Sequence, residues 1–178
     1  MKKWSADRWM SLAAIVASLG TLFVIVYQTS IFRKQQYASV LPYLEIWNSN
    51  STDRYQLILV NNGIGPAFIE KVTILYKDSV YQMDPAVFLQ KVILLEDTIR
   101  NVGHSNINKG RIIPAGEKID LLAVRNDTIN SKKLRYWFNG GSASREDFPE
   151  IEIEYASVYG ERWMIQKYGT EVPVSLND

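Results

Sequence analysis

Two residues of the kind that perform nucleophilic catalysis stand side by side in one polar stretch of the chain. His104, the single histidine of the sequence, directly precedes Ser105. A serine nucleophile needs a histidine base and an acidic residue that orients the histidine. The Gly-x-Ser-x-Gly motif that presents such a serine in many hydrolases is absent from the sequence. This pattern favours an exposed loop histidine over a Ser–His–acid triad, and we expect the protein not to be an enzyme.

Three glutamates, Glu150, Glu152 and Glu154, alternate with apolar residues. In a strand they would line one face, where they could meet a cation or a basic partner. The sequence has no Asp-x-Asp-x-Asp calcium loop, and zero cysteines with one histidine exclude thiolate and multi-histidine metal sites. The pattern favours the solvated face of a half-buried strand. We therefore expect no metal site, no cofactor and no catalytic residue.

Two short basic clusters lie at residues 109–111 and 132–135, and an aromatic run lies at residues 136–138, with Trp163 further on. The basic clusters could meet phosphates or anionic lipid headgroups, but solvated loops are the simpler interpretation. Trp137 could mark a recognition patch, although core packing is favoured. The chain has 20 basic and 19 acidic residues and a net charge of +1, so we expect no nucleic-acid polymer as a partner.

The element that would anchor the domain carrying these residues is an apolar segment near the N-terminus. Residues 9–32 carry no charged side chain. As a helix they would extend about 36 Å, enough to cross a bilayer core of about 30 Å. Trp4 and Trp9 stand at one end, and Tyr27 and Phe32 at the other, as interfacial anchors do. The run is longer than a signal-peptide core and no small-x-small cleavage pattern follows, so we expect an uncleaved anchor in the lipid bilayer.

These features divide the chain into a short basic tail (1–8), a transmembrane helix (9–32), a stem (33–40) and a β-domain (41–178). Lys2, Lys3 and Arg8 precede the span, and Arg33 and Lys34 follow it. The positive-inside rule then weakly favours a cytoplasmic N-terminus, with the β-domain outside the inner membrane.

One stripe of the predicted helix consists of small residues. Ala13, Ala17, Gly20 and Thr21 recur at helical spacing. Small side chains allow two membrane helices to approach closely, although they are also common in any membrane helix. The stripe is a candidate helix-association face, which would make the protein a homo-oligomer or the companion of another membrane protein.

The remaining chain alternates apolar and polar residues between clusters of Gly, Asn and Pro. About seven short strands are predicted, the first starting at Leu44 and ending at the turn-rich residues 48–51. Asp84 and Pro85 predict a helix start, and Gly103 its end. Residues 132–138 fit either a helical turn or a short strand. The whole predicts a mainly β fold, an immunoglobulin-like antiparallel sandwich or a small barrel with one inserted helix.

The stretch from Leu57 to Ala67 contains an Asn-x-Gly-x-Gly-Pro-Ala pattern and is followed near the C-terminus by a strand pair around Tyr159-Gly160. This combination resembles uncharacterised bacterial single-pass membrane-anchored proteins. The resemblance implies an immunoglobulin-like sandwich in the soluble part. Physically, Asn62, Gly63, Gly65 and Pro66 form a structural turn in which the glycines are expected to supply positive φ and the proline to stiffen re-entry into the next strand.

Two functions follow from these expectations. The first is a non-enzymatic, membrane-anchored β-domain that mediates protein interaction or assembly. The second comes from a more distant resemblance of the layout to helix-plus-β-domain effectors of bacterial antiphage systems. That resemblance implies a domain that binds a small anionic ligand such as a cyclic nucleotide, and helices that oligomerise and perturb the bilayer.

Overall fold

The computed structural model describes residues 5–139, 148–167 and 172–176, the side chain of Glu96 aside. It divides into two compact units, residues 1–39 and 40–178. The first unit contains one long helix, α1 (Ala6–Ala38). This helix is long and apolar enough to cross a membrane, and none of its side chains is buried.

The second unit is mainly β-sheet. Its described residues form nine strands: β1 (Leu44–Ser51), β2 (Arg54–Asn61), β3 (Ala67–Tyr76), β4 (Ser79–Tyr81), β5 (Ile112–Ile113), β6 (Lys118–Val124), β7 (Glu150–Ala156), β8 (Arg162–Gln166) and β9 (Val174–Ser175). Sheet A has the strand order β1-β2-β6, and sheet B has the order β4-β3-β7-β8-β9, with β5 also paired to β3. Every pairing is antiparallel. The predicted mainly β fold is confirmed at this level.

Helical segments complete the described part of the unit. Asp84 caps α2 (Pro85–Phe88) through a 2.7 Å bond from Ala86 N–H to Asp84 Oδ1, so the predicted helix start is confirmed. A π-helical turn (Leu89–Ile93) and α3 (Leu94–Glu96) follow. Residues 132–138, left open by the sequence, lie in α4 (Thr128–Asn139).

One hydrophobic core unites both sheets. Sheet A contributes side chains such as Leu57 and Leu59 from β2, and sheet B contributes Ile74 from β3 and Ile153 from β7, all without measurable exposure. Phe88 of α2 joins the same core. Alternate residues of each strand point to opposite faces, so period-two apolar patterns fill the space between the sheets.

Several predicted boundaries are wrong. β1 does not end before the polar residues 48–51; it runs through them to Ser51, because all of them pair with β2, and the chain reverses only at residues 52–53. The helix after Asp84 stops at Glu96 and not at Gly103, since Asp97 takes extended backbone angles. Gly103 instead bridges Ala123 of β6.

The reason for glycine at Gly63 and Gly65 also differs from the prediction, because neither residue has a positive φ. The backbone that precedes β1 passes directly over both. A Cβ added at Gly63 would lie 2.7 Å from the carbonyl carbon of Pro42, and one at Gly65 would lie 2.8 Å from Cα of Val40. Real Cβ atoms essentially never approach within 3.0 Å. Glycine is required here for close packing of two backbone segments, not for a left-handed turn.

We predict that Gly65→Ala lowers the free energy of unfolding by about 1–3 kcal/mol, because the added methyl group must push the Val40 backbone away. Gly103→Ala is the matched control: its Cβ would lie 3.7 Å from the carbonyl oxygen of Ala123, an ordinary contact at an ordinary φ. Denaturant unfolding of the full chain in detergent, followed by tryptophan fluorescence, measures both. Equal effects of the two substitutions would contradict the close-packing explanation.

Candidate functional site

The most heavily bonded polar side chain of the described β-domain is the buried amide of Asn61, at the end of β2. Its Oδ1 accepts from the backbone N–H of Tyr43 (3.1 Å) and of Gly63 (3.0 Å). Its Nδ2 donates to the carbonyls of Gly65 (2.8 Å) and Ile113 (3.0 Å). The side chain has no exposed surface, and these partners occupy both the oxygen and the nitrogen of the amide.

The Asn61 amide joins three backbone regions that are separate in the sequence. It holds the start of β1, its own turn at residues 63–65, and β5 of sheet B against the end of β2 in sheet A. Sequence reasoning placed Asn62 among the turn residues instead. Asn62 is exposed, and its Nδ2 donates to Glu45 Oε2 over 2.6 Å. The signal that separates the neighbours is strand alternation, which turns Asn61 inward with Leu57 and Leu59.

The other predicted turn residues lie together with Asn61. Ile64 and Gly65 both donate their N–H groups to the carbonyl of Leu41, at 3.0 and 3.3 Å. Pro66 is half-buried and leads directly into β3. Asn62, Gly63, Gly65 and Pro66 lie in the bend between β2 and β3, against the chain that enters β1.

The predicted association residues Ala13, Ala17, Gly20 and Thr21 all lie on α1 and are exposed. Thr21 Oγ1 donates to the Ala17 carbonyl over 2.9 Å, which satisfies the hydroxyl within the helix. A Cβ at Gly20 would meet nothing within 4 Å. The stripe therefore stays a prediction.

A groove of about 660 Å³ lies over the outer face of sheet B. Arg162 Nε contacts Glu70 Oε2 at 2.5 Å, and Arg162 Nη2 contacts Glu154 at 3.3 Å. Lys71 pairs with the same glutamate at 3.2 Å. Lys109 stands exposed at the rim. Opposite charges are thus paired across this surface, where exposed ion pairs contribute little to stability.

Asp84, at the floor of this groove, has a structural role. It is buried, and its second carboxylate oxygen accepts from the backbone N–H of Ile107 over 2.6 Å, in addition to the helix cap. Both oxygens are therefore occupied by backbone donors.

The remaining residues singled out by the sequence are dispersed. His104 is exposed and Ser105 half-buried beside it, and Ser105 N–H donates to the Asp120 carbonyl over 2.9 Å. Glu150, Glu152 and Glu154 are half-buried on the outer face of β7. No group of three or more metal-ligating side chains occurs among the described residues.

The basic and aromatic clusters serve the scaffold. Lys133 Nζ pairs with Asp97 at 2.7 Å, and Arg135 Nη2 donates to the carbonyl of Ser51. Trp137 and Phe138 are buried, which agrees with the favoured core interpretation, whereas Tyr136 stays 55% exposed. In the same domain, burial raises the pKa of the Tyr155 hydroxyl to about 12.

Among the residues that the structure describes, unpaired backbone groups occur along the outer edge of β1. The two-residue turn makes Ser51 and Arg54 a hydrogen-bonded pair, and at the far end Asn62 N–H donates to the Tyr43 carbonyl over 2.8 Å. The backbone N–H and C=O groups of odd-numbered β1 residues therefore bond to β2, and those of even-numbered residues point away from β2. The N–H of Leu44 accordingly meets Tyr155 Oη at 3.3 Å.

Beyond Leu44, the outward backbone groups of three residues have no partner among the residues that the structure describes: Ile46, Asn48 and Asn50. Other described edges are short or covered. β4 and β9 span three and two residues. The outer edge of β6 is bonded at two points: Ala123 exchanges 2.8 Å bonds with Gly103 in both directions, and the Asp120 carbonyl accepts from Ser105 N–H over 2.9 Å. β1 therefore presents a row of donors and acceptors of the kind that other strands recognise.

The sequence matches no protein-family model and no curated protein. Among the described surfaces, the outer edge of β1 is the strongest candidate site.

We predict that Asn61→Ala lowers the free energy of unfolding by about 3 kcal/mol or more, because several buried backbone groups lose their partners at once. Asn62→Ala, one residue away, is the control and should change it by about 0.5 kcal/mol or less. Denaturant unfolding of the full chain measures both. Similar small effects would show that the buried amide does not anchor this junction.

Proposed function

We propose that this protein is a non-enzymatic, single-pass membrane protein whose β-domain mediates protein interaction or assembly at a bacterial inner membrane. The observation that carries the proposal is the uncovered outer edge of β1. An edge strand offers a partner main-chain hydrogen bonds without any specialised side chain. An apolar helix that spans the bilayer would tether the β-domain to the membrane, where membrane-bound partners are confined with it.

Our finer structural inference is that sheets A and B form an immunoglobulin-like antiparallel sandwich. Its support is the single core to which both sheets contribute, together with the Asn-x-Gly-x-Gly-Pro-Ala pattern discussed above. For orientation we propose a cytoplasmic N-terminus and an external β-domain, because more basic residues precede the span than follow it.

The proposal that the protein is not an enzyme is supported by the roles of its polar side chains. His104 is exposed in a loop. Asp84 and Asn61, both buried, are occupied by backbone groups. A general base must reach the proton it removes and remain available for it. These buried groups are structural, which favours a binding role for the domain.

A second function, the ligand-gated membrane effector, is supported by the groove over sheet B. Its volume of about 660 Å³ suits a nucleotide-sized ligand, and Lys71, Lys109 and Arg162 supply positive charge. An anion would have to displace Glu70 and Glu154 from these cations. A cyclic nucleotide that raises the melting temperature of the full chain, but not that of Arg162→Ala, would favour this function over the first.

The assembly proposal predicts that copies of the full chain associate in bilayers. Energy transfer between donor- and acceptor-labelled copies should exceed that of a monomeric single-span control at equal density. Ala17→Leu combined with Gly20→Leu should reduce the transfer several-fold while insertion is unchanged, because large side chains block close helix contact.

Ser11→Leu combined with Thr29→Leu is the matched control. These residues lie on the opposite side of α1, and their hydroxyls only bond to carbonyls within the helix, Asp7 at 2.9 Å and Ile25 at 2.8 Å. Transfer at the level of the monomeric control for the native chain would contradict the assembly proposal. Equal energy transfer in the two double variants would show that α1 acts only as a membrane anchor.

A further inference from the structure

We infer that the outer edge of β1 pairs antiparallel with β1 of a second copy of this chain, in a register centred on Asn48. This inference names the partner for the proposed assembly function and rests on it.

The unpaired groups have the symmetry that a two-fold axis needs. Ile46 and Asn50 lie at equal distances on either side of Asn48, and all three direct their N–H and C=O groups away from β2. Centred on Asn48, the edge places Asn48 opposite its equivalent and Ile46 opposite Asn50 of the second copy. These pairs would form about six interstrand hydrogen bonds and leave none of the three residues unpaired.

The neighbouring registers use the edge less completely. A centre at Trp47 would place Leu44 opposite Asn50, and the Leu44 N–H is already directed to the Tyr155 hydroxyl at 3.3 Å. A centre at Ser49 would move Ile46 opposite the turn residue Thr52. The Asn48 register is therefore the one that satisfies the whole free edge.

Side chains on the solvent face are compatible with the same register. Glu45 would lie opposite Ser51 of the second copy, and Trp47 opposite Ser49. No like charges face each other. Lys118 Nζ already lies 4.4 Å from the centroid of the Trp47 ring. The ring would therefore enter the contact with a cation over its face, and not as an uncovered apolar surface.

β1 also lacks the devices that protect an edge strand from pairing. It spans eight residues with an unbroken register to β2, and contains no proline, glycine or lysine. By contrast, the β2–β6 and β3–β7 pairings both contain a register shift. Bulges, prolines and inward lysines are the usual means of preventing edge-to-edge contact.

A second copy is favoured over an unrelated peptide on entropic grounds. A disordered peptide must be ordered as it adds to a sheet, whereas β1 of another copy is already an extended strand held by β2. Confinement by α1 in the plane of a membrane raises the local concentration of like copies. Because the contact is two-fold symmetric, one pairing uses the edge of each copy and closes a dimer.

The absence of cysteine from the sequence permits a clean test. Full chains carrying Glu45→Cys with one tag are mixed in the membrane with chains carrying Ser51→Cys with another tag. Opposite residues of a non-hydrogen-bonded antiparallel pair have Cα atoms about 4.5 Å apart, within disulfide range. We expect mild oxidation to link the two tags. Glu45→Cys alone should not crosslink, since its equivalents would lie about 20 Å apart.

Glu45→Cys mixed with Ser49→Cys is the register control. Both side chains face solvent, but in the Asn48 register their Cα atoms would be about 8 Å apart, beyond disulfide range. This mixture should crosslink at least about tenfold less than the Glu45/Ser51 mixture. Preferential crosslinking of the Glu45/Ser49 mixture would overturn the proposed register, and no crosslinking in either mixture would overturn the pairing.

A second variant tests the hydrogen bonds. Asn50→Pro removes an N–H that points away from β2, so the β1–β2 pairing keeps all its bonds, whereas Asn50→Ala retains that N–H. Association of the full chain in bilayers should fall about tenfold with proline and little with alanine, at unchanged melting temperature. Equal association of the two variants would overturn the inference.

The outcome also separates this inference from the proposed function. If energy transfer reports association but the Glu45/Ser51 mixture fails to crosslink, the protein assembles through another surface and only the β1 inference is lost. If the native chain shows no association by either method, both are lost.

Discussion

The buried amide of Asn61 is the interaction on which the β-domain depends. It satisfies backbone groups from the entrance to β1, from the turn after β2 and from β5, and so joins the two sheets at one point. A half-satisfied buried amide would be costly, whereas a fully satisfied one specifies a single arrangement. The close approach of the Val40–Tyr43 backbone to Gly63 and Gly65 follows from the same junction, because the segment is bonded too tightly to admit a Cβ.

This junction also determines how β1 is presented. Tyr43 N–H donates to the Asn61 side chain, and the Tyr43 carbonyl accepts from Asn62 N–H. These two bonds determine which backbone groups of β1 face β2. The two-residue turn after Ser51 sets the same alternation from the other end. The outward groups of β1 are therefore ordered in an extended conformation before any partner arrives. In this account the functional feature of the domain is a length of backbone, and its side chains mainly keep that backbone in place.

Much of the fold followed from the sequence, because local patterns carry it. The alternation of apolar and polar residues predicted a mainly β-domain with Glu150, Glu152 and Glu154 along one strand, and the Asp84-Pro85 pair predicted the start of α2. The extension of β1 through residues 48–51 was missed, since polar residues at an edge gain their strand conformation from pairing with β2. The roles of Asn61 and of the paired glycines depend on a segment some twenty residues earlier, and an unpaired edge exists only once the sheet order is known.

Amide hydrogen exchange in bilayers, measured residue by residue on the full chain at two protein-to-lipid ratios, tests the central claim most directly. Glu45, Trp47 and Ser49 bond to β2 and should be protected at both ratios. We expect the amides of Ile46, Asn48 and Asn50 to be protected at high density and to exchange rapidly on dilution, because their partner is a second copy. Rapid exchange of these three amides at both densities would contradict the account, and protection that persists at the lowest density would contradict it as well.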